Sequence, residues 1–279
     1  MKRCLSALLL FVACAHTSPQ FVKGPQGRLR VDDGGSGRGV PVLFVHGNGA
    51  SRVQWRHQLE HLRPSRRAVA FDLRGMGESE LARNHDYSID AMTDDVQAVT
   101  DALHLRRFVI VGHSFGGNVV AAYVAKHPDR VAGVVYADAG VTGKISDEAA
   151  QRFITAIRAD KDKVVSQWFA PILAHGTEAT RNEVLASVHK TATEPFAQAL
   201  LGLRSSDTAR AVQSYQGPML AIAAAPTEGA QSLHNAVPSI RVVKMQDVSH
   251  WLMLDKPGEF NRLLDDFLRE IDAAELARR

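Results

Sequence analysis

Cysteine is nearly missing from this 279-residue chain: there are two, Cys4 and Cys14, both close to its start. The remainder therefore carries no disulfide framework, and no Cys/His spacing of the zinc-holding kind occurs. Long apolar runs are missing as well. The stretch from Leu5 to Val12 falls far short of the ~20 residues that span a bilayer. Neither sign of charge dominates. The net charge is +3 with no basic stripe, which argues against a nucleic-acid partner. No internal repeat is present, so solenoid and propeller architectures are excluded. What is there is an ordinary globular mixture, 45% hydrophobic and 23% charged. The chain is long enough for one large domain with an insertion.

Both cysteines fall in a segment that reads as an export leader. Lys2 and Arg3 form a positive start, Leu5 to Val12 an apolar stretch, and Ala13-Cys14-Ala15 a run of small residues. Two processing routes fit. Phe11-Val12-Ala13-Cys14 is similar to a bacterial lipobox, with Phe11 standing where an aliphatic residue is usual. That route leaves Cys14 lipidated and the protein tethered to a membrane. Cleavage after Ala15 instead satisfies the ordinary small-x-small rule and releases a free protein. The expectation is an exported protein, periplasmic or membrane-anchored, with residues 1–20 outside the fold.

Beyond the leader, apolar runs rich in β-branched residues alternate with stretches of helical periodicity. Strands are predicted over 29–31, 40–45, 68–71, 108–111, 131–137, 219–224 and 240–244. Helices are predicted over 51–62, 88–103, 118–126 and 257–271, the last with Phe260, Leu263, Leu264, Phe267, Leu268 and Ile271 on one face. On the second of these, Asp94, Asp95 and Asp101 are expected to face water. Such alternation implies an α/β fold, a mostly parallel sheet covered by helices on both faces. The rhythm breaks from about 141 to 215, where four helices are predicted over 149–159, 163–173, 178–189 and 194–204. The expected organisation is a leader at 1–20, a core at 21–140, a helical insertion at 141–215 and the rest of the core at 216–279.

The most informative stretch is Gly112-His113-Ser114-Phe115-Gly116-Gly117. It lies between a predicted strand and a predicted helix, the setting in which Gly-x-Ser-x-Gly makes serine a nucleophile. The turn is sharp enough to need small flanking residues, which Gly112 and Gly116 supply. The hydroxyl then stands at a helix N-terminus, where the dipole favours negative charge. Three further segments occur in a recognisable order: Val42-Leu43-Phe44-Val45-His46-Gly47-Asn48-Gly49, Phe71-Asp72-Leu73-Arg74-Gly75-Met76-Gly77-Glu78-Ser79, and Val248-Ser249-His250-Trp251. With these motifs the chain resembles the α/β-hydrolase superfamily, from about Leu29 to near Glu270.

The resemblance implies that the insertion is a lid and that Ser114 is the nucleophile, His250 its base. Backbone N–H groups of Asn48 and Phe115 would form the oxyanion hole. His46 and His113 would be structural, and Asp72, Arg74 and Ser79 would fix a neighbouring loop. His57, His61, His85, His104 and His127 read as surface residues. The lid's Phe153, Ile157, Trp168, Phe169, Ile172, Phe196 and Leu200 could line a pocket, though most are expected to pack the lid's own core. No metal or organic cofactor is implied.

The acid of the triad is open at this point. Relatives place an aspartate after the strand matching 219–224, but this chain has Ala223-Ala224-Ala225-Pro226-Thr227-Glu228. Asp138, after the strand at 131–137, and Glu228, in the shortened loop, are the two candidates. A serine nucleophile disfavours dehalogenase and epoxide-hydrolase chemistry, which in this superfamily runs through an aspartate ester. The first reading is a hydrolase of small carboxylic esters. Amidase, lactonase, C–C bond hydrolase and cofactor-free haloperoxidase-like activities share the triad. A non-catalytic binding protein that keeps the fold is the rival from another class.

Overall fold

The computed structural model describes residues 20–140, 146–227, 229 and 231–278. Residues 1–19 of the expected leader and the candidate acid Glu228 lie outside the described residues.

Eight strands form one sheet: β1 (Gln20–Lys23), β2 (Arg28–Gly34), β3 (Val42–Val45), β4 (Ala68–Phe71), β5 (Phe108–His113), β6 (Val131–Ala137), β7 (Met219–Ala224) and β8 (Arg241–Met245). Their order across the sheet is β1-β2-β4-β3-β5-β6-β7-β8. The first two pairings, β1 with β2 and β2 with β4, are antiparallel, and every other pairing is parallel. Every residue of β3, β4, β5 and β6 is buried. That is why these strands are unbroken apolar runs: helices cover both of their faces.

Strand β1 was not expected: it begins at Gln20, the last residue of the expected leader, and carries only two apolar residues, Phe21 and Val22. Its partner explains it. Arg28 and Arg30 of β2 lay their guanidinium groups over the Phe21 ring at 4.9 and 5.6 Å, so the half-exposed edge is held by cation–π contacts.

The covering helices are α1 (Arg56–Leu62), α2 (Ile89–Ala102), α3 (Phe115–Lys126) and, at the chain's end, α11 (Pro257–Ala277). Ser88 caps α2 by accepting from the Ala91 N–H. Pro257 opens α11, where its missing N–H costs nothing. Along α11 Phe260, Leu264, Phe267, Leu268 and Ile271 are buried. One expectation fails on α2. Asp94 and Asp101 are exposed, but Asp95 is buried and clamped by Arg74, with Nε and Nη2 at 2.6 and 2.7 Å from its two oxygens. Its side of α2 faces the loop after β4, and a buried carboxylate there survives only because a guanidinium meets it.

Between β6 and β7 the chain builds α4 (Asp147–Ala159), α5 (Lys161–Ile172), α6 (Glu178–Lys190), α7 (Thr193–Gly202) and the short α8 (Thr208–Gln213). Four of the five start at a polar cap. Ser146, Asp160, Thr177 and Asp207 each accept from the N–H three residues on. Two short helices, α9 (Leu233–Ala236) and α10 (Leu252–Asp255), sit in the last loops. Among the described residues no helix is long and apolar enough to cross a membrane.

Candidate active site

One residue separates β5 from α3, and it is Ser114, with φ 51° and ψ −124°. A non-glycine residue at positive φ is strained, and the surroundings must enforce it. They do so by backbone packing. A Cβ on Gly112 would lie 2.7 Å from the Gly116 carbonyl oxygen, and one on Gly116 would lie 2.7 Å from the Val45 carbonyl oxygen. Only glycine lets strand, turn and helix approach this closely. The Ser114 N–H donates to the Ala137 carbonyl at 3.1 Å, and its own carbonyl accepts from the Gly117 N–H at 2.9 Å.

His250 reaches the same place from the loop after β8. Its N–H donates to the Ile172 carbonyl at 3.0 Å. Its carbonyl accepts from His113 Nε2 at 2.9 Å. Its Nδ1 lies 2.6 Å from Asp138 Oδ2. Asp138 follows the last residue of β6 with φ 43°. Its N–H donates to the Ile222 carbonyl at 2.8 Å, and its Oδ1 accepts from the Ala224 N–H at 2.9 Å. The end of β7 thus supplies a backbone donor that steadies the carboxylate that follows β6. A carboxylate on Nδ1 fixes the tautomer and leaves Nε2 as the basic nitrogen.

Ser114, Asp138 and His250 line one cavity of about 460 Å³, together with Gly47, Asn48 and Phe115. Phe115 is the first residue of α3, so its N–H has no intrahelical acceptor. A Cβ on Gly47 would sit 3.4 Å from Ser114 Cβ, so the Gly47-Asn48 backbone runs beside the serine. The Asn48 side chain donates through Nδ2 to the Phe196 carbonyl at 3.0 Å. This ties the loop after β3 to α7.

The two histidines of the motifs are buried and neutral. His46 Nε2 accepts from the Leu73 N–H at 2.9 Å, which leaves Nδ1–H to donate to the Gly47 carbonyl at 2.7 Å. Burial holds its pKa below the ordinary value, against a smaller opposing pull from Asp72. His113 is pushed down to about 3, chiefly by burial and then by the neighbouring His250. Its ring lies 4.8 Å from that of His250. Asp72 accepts from the Arg52 N–H and guanidinium, both at 2.6 Å, and from the Glu78 N–H at 2.8 Å. Ser79 Oγ donates to the Asp72 carbonyl at 2.6 Å. Asp72, Arg74 and Ser79 do not line the cavity, nor do His57, His61, His85, His104 and His127.

The insertion's named apolar residues serve in both expected ways: all but Trp168 belong to or pack against a buried apolar cluster that the insertion shares with the sheet. Six of its seven named apolar residues line the cavity: Phe153, Trp168, Phe169, Ile172, Phe196 and Leu200. Only Ile157 is buried away from it. The apolar faces of the inserted helices thus serve both the packing of the core and the cavity wall.

Two further groups went unnoticed in the sequence. Thr208 Oγ1 donates to Asn118 Oδ1 at 2.6 Å, and Asn118 Nδ2 reaches the Ser114 carbonyl at 3.4 Å. Asp255 Oδ2 accepts from both the N–H and the Oγ of Ser249, at 2.8 and 2.6 Å, and its Oδ1 accepts from the Thr177 N–H at 2.9 Å. The Ser249 hydroxyl helps anchor the loop that carries His250. The pattern Ser249-x5-Asp255 was the available signal for it.

A family model described as alpha/beta hydrolase fold matches residues 40–175. The chain is 26% identical over 264 residues to 2-hydroxymuconate semialdehyde hydrolase of Pseudomonas sp. (strain CF600), covering 87% of this chain and 91% of that one. A bromoperoxidase structure from Bacillus anthracis superposes with a TM-score of 0.79 at 22% identity, covering 90% of this chain and all 100% of that one. A thermophilic esterase from Thermogutta terrifontis does so with 0.79 at 24% identity, covering 91% and 99%. At such identities the two structures speak for the fold alone.

Proposed function

Because the chain belongs to the α/β-hydrolase superfamily and is an enzyme of that type, we propose that it hydrolyses carboxylic esters through an acyl-enzyme on Ser114. The observation that carries this reading is the 2.6 Å contact of Asp138 Oδ2 with His250 Nδ1 in the cavity that Ser114 lines. His250 Nε2 takes the Ser114 proton as Oγ attacks the ester carbonyl carbon. The carbonyl oxygen becomes an oxyanion, held by the Asn48 and Phe115 N–H groups. Asp138 stabilises the imidazolium that forms. The C–O bond to the alcohol breaks, and His250 returns its proton to the leaving oxygen. Water, deprotonated by His250, then attacks the acyl-serine and releases the carboxylic acid and free Ser114. In the same reading α4 to α8 act as a lid that keeps bulk water from this sequence. The leader motif at 1–20 supports export.

A fluorophosphonate probe, together with p-nitrophenyl esters of graded chain length, tests the proposal. Covalent label on Ser114 with turnover of the esters is expected. No label on Ser114, or a label that persists in Ser114→Ala, rejects it. Matched amides and lactones beside the esters separate the activities that share this triad.

A further inference from the structure

Aromatic residues are scarce in this chain, and they are not spread evenly. There are eleven Phe, four Tyr and three Trp. Six of these eighteen line the single cavity that holds Ser114: Phe115, Phe153, Trp168, Phe169, Phe196 and Trp251. Two of the three tryptophans are among them. Core packing accounts for only part of this. Phe169, Phe196 and Trp251 are almost wholly buried, but Trp168 is 39% exposed. A large ring left open at a cavity wall contributes little to the fold and is available to a ligand.

The rings are also ordered. Phe153 meets Trp168 edge-on at 5.4 Å and 90°. Trp168 meets Phe169 at 5.3 Å and 64°, and Phe169 meets Trp251 at 5.3 Å. Trp251 in turn stands edge-on to the His250 ring at 5.0 Å and 87°. An unbroken series of rings therefore runs from the exposed Trp168 to the imidazole that the mechanism uses as its base. Each spacing is that of a favourable aromatic pair. Rings held in this way lose little further freedom when a ligand settles against them. Faces and edges of opposite partial charge attract another π-system beyond what its apolar area alone would give. A saturated ring of similar size obtains the area without that addition.

We infer that the substrate is an ester carrying an aromatic ring, and that Trp168 and Phe153 are specificity-determining residues that select it. This rests on the esterase reading above and narrows it. A cavity of about 460 Å³ is within the range that encloses small organic ligands.

Two matched ester pairs test the inference on the full-length protein. Methyl phenylacetate against methyl cyclohexylacetate places the ring on the acid; benzyl acetate against cyclohexylmethyl acetate places it on the alcohol. Within each pair the reacting bond is closely similar and only the ring's aromaticity changes. A preference of about three- to tenfold in kcat/KM for the aromatic member is expected in one pair, and that pair identifies the side of the ester that meets the rings. Trp168→Leu and Phe153→Leu should bring the ratio towards one while Ser114 still takes the fluorophosphonate label. Ratios near one in both wild-type pairs, or a preference that survives both substitutions, overturns the inference even with Ser114 fully labelled. Absence of labelling counts against the esterase reading instead. Quenching of tryptophan fluorescence by phenylacetate and benzyl alcohol, compared with their cyclohexyl counterparts and with the Trp168→Leu protein, then still decides whether the cavity prefers an aromatic ring. Equal quenching by both members of each pair refutes it.

Discussion

Asp138 and His250 are 112 residues apart in the chain, and their side chains meet at 2.6 Å. The contact joins the end of β6 to the loop after β8 across the intervening strand. It is held from both sides, by the Ala224 N–H on Asp138 Oδ1 and by His113 Nε2 on the His250 carbonyl.

If this contact orients the base, Asp138→Asn should lower kcat by about 10²–10⁴ with little change in the unfolding midpoint. The amide keeps the shape and can still accept from Ala224, but it no longer stabilises the imidazolium. Glu228→Gln should turn over substrate at close to the wild-type rate. Steady-state kinetics on the two variants decide it, and the opposite ranking would assign the acid to Glu228.

His113 makes stability fall in acid. Its folded pKa is depressed to about 3 by burial and by His250, whereas the unfolded chain binds a proton near 6.5. The unfolded state therefore carries more protons between these values. The stabilising effect of the buried neutral ring is complete above about pH 6.5 and is lost progressively as pH falls towards 3. This one group contributes a slope of up to roughly 1.4 kcal/mol per pH unit. Urea unfolding measured from pH 7 to 4 should show a shallower dependence in His113→Gln than in the wild type. Equal slopes would exclude His113 as the source.

The Arg74–Asp95 pair is buried at both ends, with side chains 4% and 2% exposed. Asp95→Ala strands the guanidinium and should cost about 3–5 kcal/mol. Replacing both at once, as Arg74→Met with Asp95→Leu, should recover most of that loss, because no charge is then left unpaired. Chemical denaturation of the three variants tests the pair. A double variant as unstable as the single one would show that the ion pair itself is needed.

Gly116→Ala directs a methyl group at the Val45 and His46 carbonyls. These are backbone atoms at the end of β3 and the start of the loop that leads to Asn48, so no side chain can move aside. A loss of about 1–3 kcal/mol is expected. Slower fluorophosphonate labelling should accompany it, because the shift moves the Gly47-Asn48 backbone that lines the cavity beside Ser114. Unchanged stability and labelling would mean that the turn has room the structure does not show.

Much of the fold was legible locally. The apolar runs of β3, β4, β6 and β7, the strand–turn–helix at Ser114 and the stripe along α11 are written in adjacent residues. Helix caps and glycine turns act within a few positions, and a buried parallel strand declares itself by being apolar throughout. Harder to read were features whose cause sits elsewhere in the chain. Strand β1 needs the guanidinium groups of β2. Asp95 looks like any solvent-facing acid until Arg74 meets it. The apolar residues of the insertion carry no mark that separates wall from core. The partner of His250 was the sharpest case, since nothing local distinguishes Asp138 from a turn residue.

The sequence by itself determined seven of the sheet's eight strands, its covering helices and the turn that raises Ser114, because these follow from steric and hydrophobic preferences of neighbouring residues. Only the tertiary structure decided which carboxylate stands beside His250 and which rings surround the cavity. Those depend on the order of strands in the sheet and on the seating of the inserted helices, where residues far apart in the chain are brought within hydrogen-bonding distance.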